Sequence, residues 1–171
     1  YGSLNNNITN FSDKSIYFNG TMDYVSIQHN DDFNLNSNDF TIEFWVNFES
    51  FKNWGTIITD GYENGATNTS FYIFNGANAY LGKICLAFVK ILTTSFDSGY
   101  ATANIGKVNS AVLECSTTLS LNVWYHIAIL RNSNKLNVFI NGILDGEFIF
   151  TDTNYRLNTS ETGITLGSQQ D

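Results

Sequence analysis

Proline is absent from the 171 residues. Strand ends and turns must therefore be built from the abundant Asn, Asp, Gly and Ser, which bond their own backbone or tolerate positive φ. Cations are scarce: eight Lys and Arg against sixteen acids leave a net charge of −8. Those eight are scattered and form no basic patch, so a phosphate-backbone partner is excluded, and anionic membrane surfaces are disfavoured. No apolar run approaches the roughly 18–20 residues that cross a bilayer, which excludes membrane insertion as a helix. Cysteine is limited to Cys85 and Cys115, with no CxxC or His–Cys cluster, so a zinc site is not expected. The pair leaves two readings open. Adjacent strands would permit a disulfide, whereas two free thiols would pack as small hydrophobes; the second is favoured.

Aromatic residues are plentiful, at 15% of the chain and mostly Phe and Tyr. They favour sheets over helices, and no window of about 11–18 residues carries a helical stripe. The clearest segment is Phe40 to Phe48. Phe40, Ile42, Phe44, Val46 and Phe48 alternate with Thr41, Glu43, Trp45 and Asn47, the period of a strand with one buried face. Its second face is polar apart from Trp45, which is expected to pack rather than stand free.

Residues 1–14 are polar and Asn-rich and read as a linker or arm. Residues 15–171 read as one domain. Ser15–Phe18 and Asp23–Ile27 read as a first hairpin around Asn19-Gly20. Phe33 and Leu35 plug the following loop onto the core. Further strands are expected at 56–59, 70–74, 83–89, 111–115, 124–131, 135–140, 147–150 and 164–167. Residues 90–110 form a long excursion holding an extra hairpin. Asn132-Ser133-Asn134 and Asn141-Gly142 close hairpins. Many short strands with turn signals between them argue for an all-β, antiparallel two-sheet sandwich of the jelly-roll kind.

The order of Phe18-Asn19-Gly20 with Asp23-Tyr24-Val25, then Phe40–Val46, Trp124–Ala128, Leu136–Gly142 and Ile164–Gly167 resembles the laminin G-like members of the concanavalin A-like lectin/glucanase superfamily. Ile127–Arg131 followed by Leu136–Gly142 is similar to the members found in phage and other viral structural proteins. That resemblance implies a virion-surface or extracellular setting and engagement of a glycan or host-surface receptor, alongside other copies or chains of the same assembly. Such domains continue past the Leu-Gly motif into a further strand. Here that final strand is expected to be missing from the chain, and the chain, which begins at Tyr1 without a signal peptide, is expected to be a piece of a longer polypeptide.

The superfamily's glucanases carry Glu-x-Asp-x-Glu on one strand. In this chain Ile143 stands at the first position, ahead of Asp145 and Glu147, so the resemblance implies no enzyme; these two acids read as surface charges at a hairpin end. The ending Ile164–Asp171 resembles the pentraxin segment that holds calcium. By that match Gln169 and Asp171 donate side chains and Gln170 a backbone carbonyl, with Asp60 or Asn64 completing an oxygen-rich set. Gln169 replaces an acid and the pentraxin cysteine pair is absent. Trp54, Tyr62 and Tyr100 lie in expected loops and are candidates for stacking on sugar. His126 reads as a hydrogen-bonded structural residue rather than a base. Asn7, Asn10, Asn19, Asn68 and Asn158 match the Asn-x-Ser/Thr sequon. The function expected is a non-catalytic lectin-like module that binds through loops. The alternatives are a structural or oligomerisation domain, or an accessory carbohydrate-binding domain of a larger enzyme.

Overall fold

The computed structural model describes residues 14–61, 69–88, 101–109, 112–151 and 163–167. The strands are β1 (Tyr24–Ile27), β2 (Phe40–Asn47), β3 (Thr56–Gly61), β4 (Thr69–Phe74), β5 (Lys83–Phe88), β6 (Ala101–Ile105), β7 (Lys107–Asn109), β8 (Val112–Thr118), β9 (Trp124–Asn132), β10 (Lys135–Ile140), β11 (Ile143–Phe150) and β12 (Ile164–Gly167). They form a seven-stranded sheet in the order β1-β12-β3-β4-β5-β8-β7 and a five-stranded sheet in the order β2-β9-β10-β11-β6. Every pairing between them is antiparallel. Among the described residues no helix is long and apolar enough to cross a membrane.

Period-two alternation builds the core. Ile73, Ile84 and Leu86 of the larger sheet meet Ile127, Ile129, Leu136, Val138 and Phe148 of the smaller, all fully buried. Each such side chain contributes about 1.5–3 kcal/mol by leaving water. Phe40, Ile42, Phe44 and Val46 join this cluster but stay half-buried, because β2 ends its sheet among the described residues and has a neighbour, β9, on one side. Leu35 packs on the core as expected.

Asn141 and Gly142 take φ of 53° and 79°, the two positive values of a type I′ hairpin turn. Three expectations fail. Ser15–Phe18 is not a strand, and β1 pairs instead with the distant β12. The reason is local: the Asn19 side-chain oxygen accepts from Thr21 N at 2.8 Å and Met22 N at 3.2 Å, closing a turn on itself, while the Phe18 ring fills the space over Gly167. The extra hairpin within 90–110 is absent from the part described. β6 pairs with β11 in one sheet and β7 with β8 in the other, so the chain changes sheets at Gly106. Only glycine suits that corner, because φ is 87° and a Cβ would stand 2.5 Å from the Glu114 carbonyl oxygen.

The third failure concerns Asp145, expected with Glu147 as a surface charge at a hairpin end. A register shift in β11 between Gly146 and Leu144, opposite Val138 and Phe139, leaves Asp145 without a cross-strand partner. Its carboxylate, 7% exposed, turns inward. There it accepts from Thr117 N at 3.0 Å and from Thr117 Oγ1, tying β11 to β8 across the sandwich. Glu147 points out through the opposite face, half-buried, with Asn104 Nδ2 at 2.9 Å and Lys135 Nζ at 3.1 Å. The Asn104 hydrogen bond, then Lys135, hold its carboxyl below the usual range.

Cys85 and Cys115 are free and buried. Cys85 pairs with Glu114, not Cys115, so the pleat sends the two thiols to opposite faces of the larger sheet. Cys85 joins Tyr72, Phe74 and Ala87 outside, and Cys115 lies in the inter-sheet core. No bond can form between side chains aimed apart. Burial, then Glu114, pushes the Cys85 thiol up to about 12; burial, then Asp145, pushes Cys115 well above its ordinary value.

Two outcomes follow from these contacts. Native protein is expected to resist thiol reagents near pH 8 and to expose both thiols on unfolding. A raised thiol favours the fold fully below about pH 8.5, where the unfolded thiol begins to titrate, and that contribution fades as pH rises further. The urea midpoint of the wild type should therefore fall between about pH 8.5 and 10.5, and more steeply than that of Cys85→Ala. Asp145→Ala strands the Thr117 N–H and should cost ~1–3 kcal/mol in the same assay.

Candidate functional site

Of the expected site residues, Trp54 and Asp60 are described, and they lie toward opposite ends of β3. Trp54, 45% exposed, sits before β3 at φ 60°. Its ring stacks on Phe74 (centroids 5.0 Å, 27°), and Phe74 stacks on Tyr72 (4.7 Å, 13°). Tyr80 meets the Trp54 ring edge-on at 6.5 Å, and the Tyr72 hydroxyl donates to the Trp54 carbonyl. Trp54 is thus a plug over the outer face of the larger sheet, with one ring face already used. Asp60, 1% exposed, lies at the other end of β3, opposite Phe71 and Ile164 on the inward side. From Thr56 to Asp60 alone is ~13 Å of strand.

Gln169, Gln170, Asp171, Asn64, Tyr62 and Tyr100 lie outside the described residues. β12 bears on the calcium set nonetheless. It runs antiparallel to β3 from Ile164, level with Asp60, to Leu166, level with Ile58. Gly167 therefore ends three residues, ~10 Å, beyond the level of Asp60 and toward Trp54. Among the described residues, no three His, Cys, Asp or Glu side chains gather as metal ligands.

The outer face of the five-stranded sheet gathers Trp45, expected to pack, and His126, read as structural, with Glu43 and Trp124. β2 pairs with β9 without a bulge, Trp45 opposite His126, Asn47 opposite Trp124 and Glu43 opposite Ala128. Because Phe44 and Ile127 face the core, the pleat turns Glu43, Trp45 and Asn47 outward beside Trp124 and His126. Trp45 is 59% exposed, not packed as expected, and Trp124 is 49% exposed. The Trp45 and His126 rings lie 5.2 Å apart at 44°. His126 Nε2 is 3.6 Å from Glu43 Oε2. The His126 strand is held from the neighbouring turn, since its backbone N–H donates to Asn141 Oδ1 at 2.9 Å.

Across the same face follow Ala128 and Phe139, then Leu130, Asn137 and Glu147. Asn137 Oδ1 is shielded from solvent and accepts no hydrogen bond. The face thus offers two broad rings, a carboxylate, an imidazole and the Asn47 amide, all on paired strands. Such a mixture can cover the apolar side of a small polar molecule while bonding its hydroxyls. The signal was present in the sequence as aromatic residues at outward positions 45 and 124.

Asp145 and Glu147 are not arranged as a catalytic carboxylate pair. Asp145 and Glu147 leave opposite faces of β11, whereas a retaining pair flanks one bond with its carboxyls about 5–5.5 Å apart.

Among solved structures, the chain is similar to a candidate carbohydrate-binding protein from Bacteroides ovatus, with 16% identity and a TM-score of 0.54 over 84% of this chain and 34% of that one. It also aligns with domain 4 of the extracellular GH43 arabinanase AbnA from Geobacillus stearothermophilus, solved with arabinotriose (14% identity, TM-score 0.41, 77% of this chain and 59% of that one). A third is the galectin LEC-6 of Caenorhabditis elegans (9% identity, TM-score 0.43, 90% and 95%). At these identities the likeness speaks to fold alone, and the chain spans about a third of the Bacteroides protein, 34%. No curated protein matches it in sequence. A laminin G-type family model, described as concanavalin A-like lectin/glucanases superfamily, matches residues 19–171, and with the two-sheet antiparallel sandwich in place the chain belongs to that superfamily.

Proposed function

We propose that this chain is a non-catalytic, lectin-like module that binds glycan in an extracellular or virion-surface setting. The observation that carries this reading is the Trp45 ring, 59% exposed on a rigid sheet face beside His126 and Glu43. A ring of that size left in water forgoes ~25 cal/mol for each Å² it could bury. A sugar ring is a fitting occupant, since its C–H face packs on an indole and its rim hydroxyls bond carboxylate, imidazole and amide. The separation of Asp145 from Glu147 supports the non-catalytic part.

A structural or oligomerisation role is the second reading. It is favoured by β2, whose outer backbone edge is unpaired among the described residues and whose inward side chains are half-buried. An edge of this kind is a template for another strand. Sedimentation of the protein alone tests it, with a stable dimer as the supporting result.

Calcium held by Asp60, Asn64, Gln169, Gln170 and Asp171 is a subordinate proposal. The β3–β12 register requires the chain after Gly167 to turn back toward Asp60 for that set to close. If it closes, calcium raises the unfolding temperature and Asp171→Asn removes the rise. An unchanged temperature counts against it.

A glycan array read with and without calcium tests the main reading. The wild type is expected to retain a defined set of saccharides. Trp45→Ala, folded by circular dichroism, should weaken them by about tenfold or more. Absence of any saccharide signal, or full retention by Trp45→Ala, counts against it.

A further inference from the structure

We infer that the outer face of the five-stranded sheet takes a neutral saccharide chain of more than one residue, with Trp45 and Trp124 as two aromatic subsites. The inference rests on the glycan reading above and adds to it the ligand's charge and length. The pairing register supplies the spacing. Trp45 is opposite His126 and Trp124 opposite Asn47, so the two tryptophans are diagonal neighbours on one face, about 7–8 Å apart at their bases. One pyranose cannot lie flat on both rings; adjoining residues of a chain can. The two residues are 59% and 49% exposed, and among the described residues neither has a stacked aromatic partner such as Phe74 is to Trp54.

Charge selects the class. Glu43 stands on this face with its side chain 66% exposed and its carboxylate 3.6 Å from His126 Nε2. Among the described residues Lys135 is the one ammonium that the five strands carry outward, and it is tied to Glu147 at 3.1 Å. Arg131, the other cation of these strands, turns inward, donating to the Asn36 and Ser133 carbonyls. The whole chain carries a net charge of −8. A carboxylated or sulfated sugar would meet an acid and no free ammonium there. A neutral sugar meets an acceptor for its hydroxyls in the Glu43 carboxylate, on an exposed side chain beside His126.

The test is calorimetric titration with neutral hexose and N-acetylhexosamine oligomers of one to four residues, chosen from array hits, and with their sialylated or uronic-acid counterparts. The expected result is affinity rising about tenfold or more from one residue to three, and anionic counterparts weaker by a similar factor. Trp124→Ala should weaken the trisaccharide several-fold more than the monosaccharide. Trp45→Ala should weaken both, and Met22→Ala, 81% exposed on the β1 side, should change neither. Length-independent affinity, equal losses for short and long ligands in Trp124→Ala, or anionic sugars bound as tightly as neutral ones would overturn the inference while leaving the lectin reading in place. Failure of every saccharide on the wild type would overturn both.

Discussion

The strict alternation of side chains across a paired strand governs this molecule. In the β2–β9–β10 ladder, each residue that reaches the core forces its neighbours into the outer layer. Ile127 and Ile129 are fully buried, and for that reason His126 and Ala128 face outward. Trp45 is held in water by the same arithmetic, because Phe44 and Val46 beside it are drawn toward the core. A slip of one residue would bury Glu43 and His126 and expose Phe44, at a cost in desolvation and lost packing that no local gain could offset. The outer face is therefore fixed by the inner one.

The same rule explains why pairs that look associated in sequence separate in space. Cys85 and Cys115 lie in neighbouring strands, yet an offset of one residue in register places the sheet between them. Asp145 and Glu147 differ by two positions and would share a face in an unbroken strand. The irregularity opposite Val138 and Phe139 undoes that parity, as bulges do. One carboxylate becomes a tie between the sheets and the other part of the outer polar layer. Buried Asp145 is tolerated because Thr117 supplies both a backbone and a hydroxyl donor; without them its carboxylate would be left unsatisfied at that depth.

Much of the sandwich was legible in advance because its signals are local. Phe40–Asn47 carries an uninterrupted alternation, and Asn141-Gly142 carries the two positive φ values that its turn demands. What was hidden depends on contacts between distant residues. Nothing near Tyr24 announces that its partner is Gly167, and the short apolar run Ser15–Phe18 looks like a strand until Asn19 folds the turn onto its own side chain. The sheet change at Gly106 is equally silent, since a glycine between two short strands reads as a hairpin. For the site, residue types were legible but exposure was not. Trp54 and Trp45 are the same amino acid, and only the stack on Phe74 shows that one is a plug and the other an open surface.

That difference bears on where recognition belongs. A binding residue on a loop must be ordered when its ligand arrives, and that ordering subtracts from affinity. Trp45, Glu43, His126 and Trp124 sit on two strands joined residue by residue from Phe40–Arg131 to Asn47–Trp124, with backbones already immobilised by the core beneath. Their relative positions are set before any ligand appears, the condition under which few contacts suffice for selectivity. A sandwich that must keep its inner faces apolar has loops or outer faces left for binding. Here the outer face of the smaller sheet is where aromatic surface, hydrogen-bonding groups and rigidity coincide, and the larger sheet's outer face is already closed over by Trp54, Tyr80 and the Lys83–Glu114 ion pair at 3.0 Å.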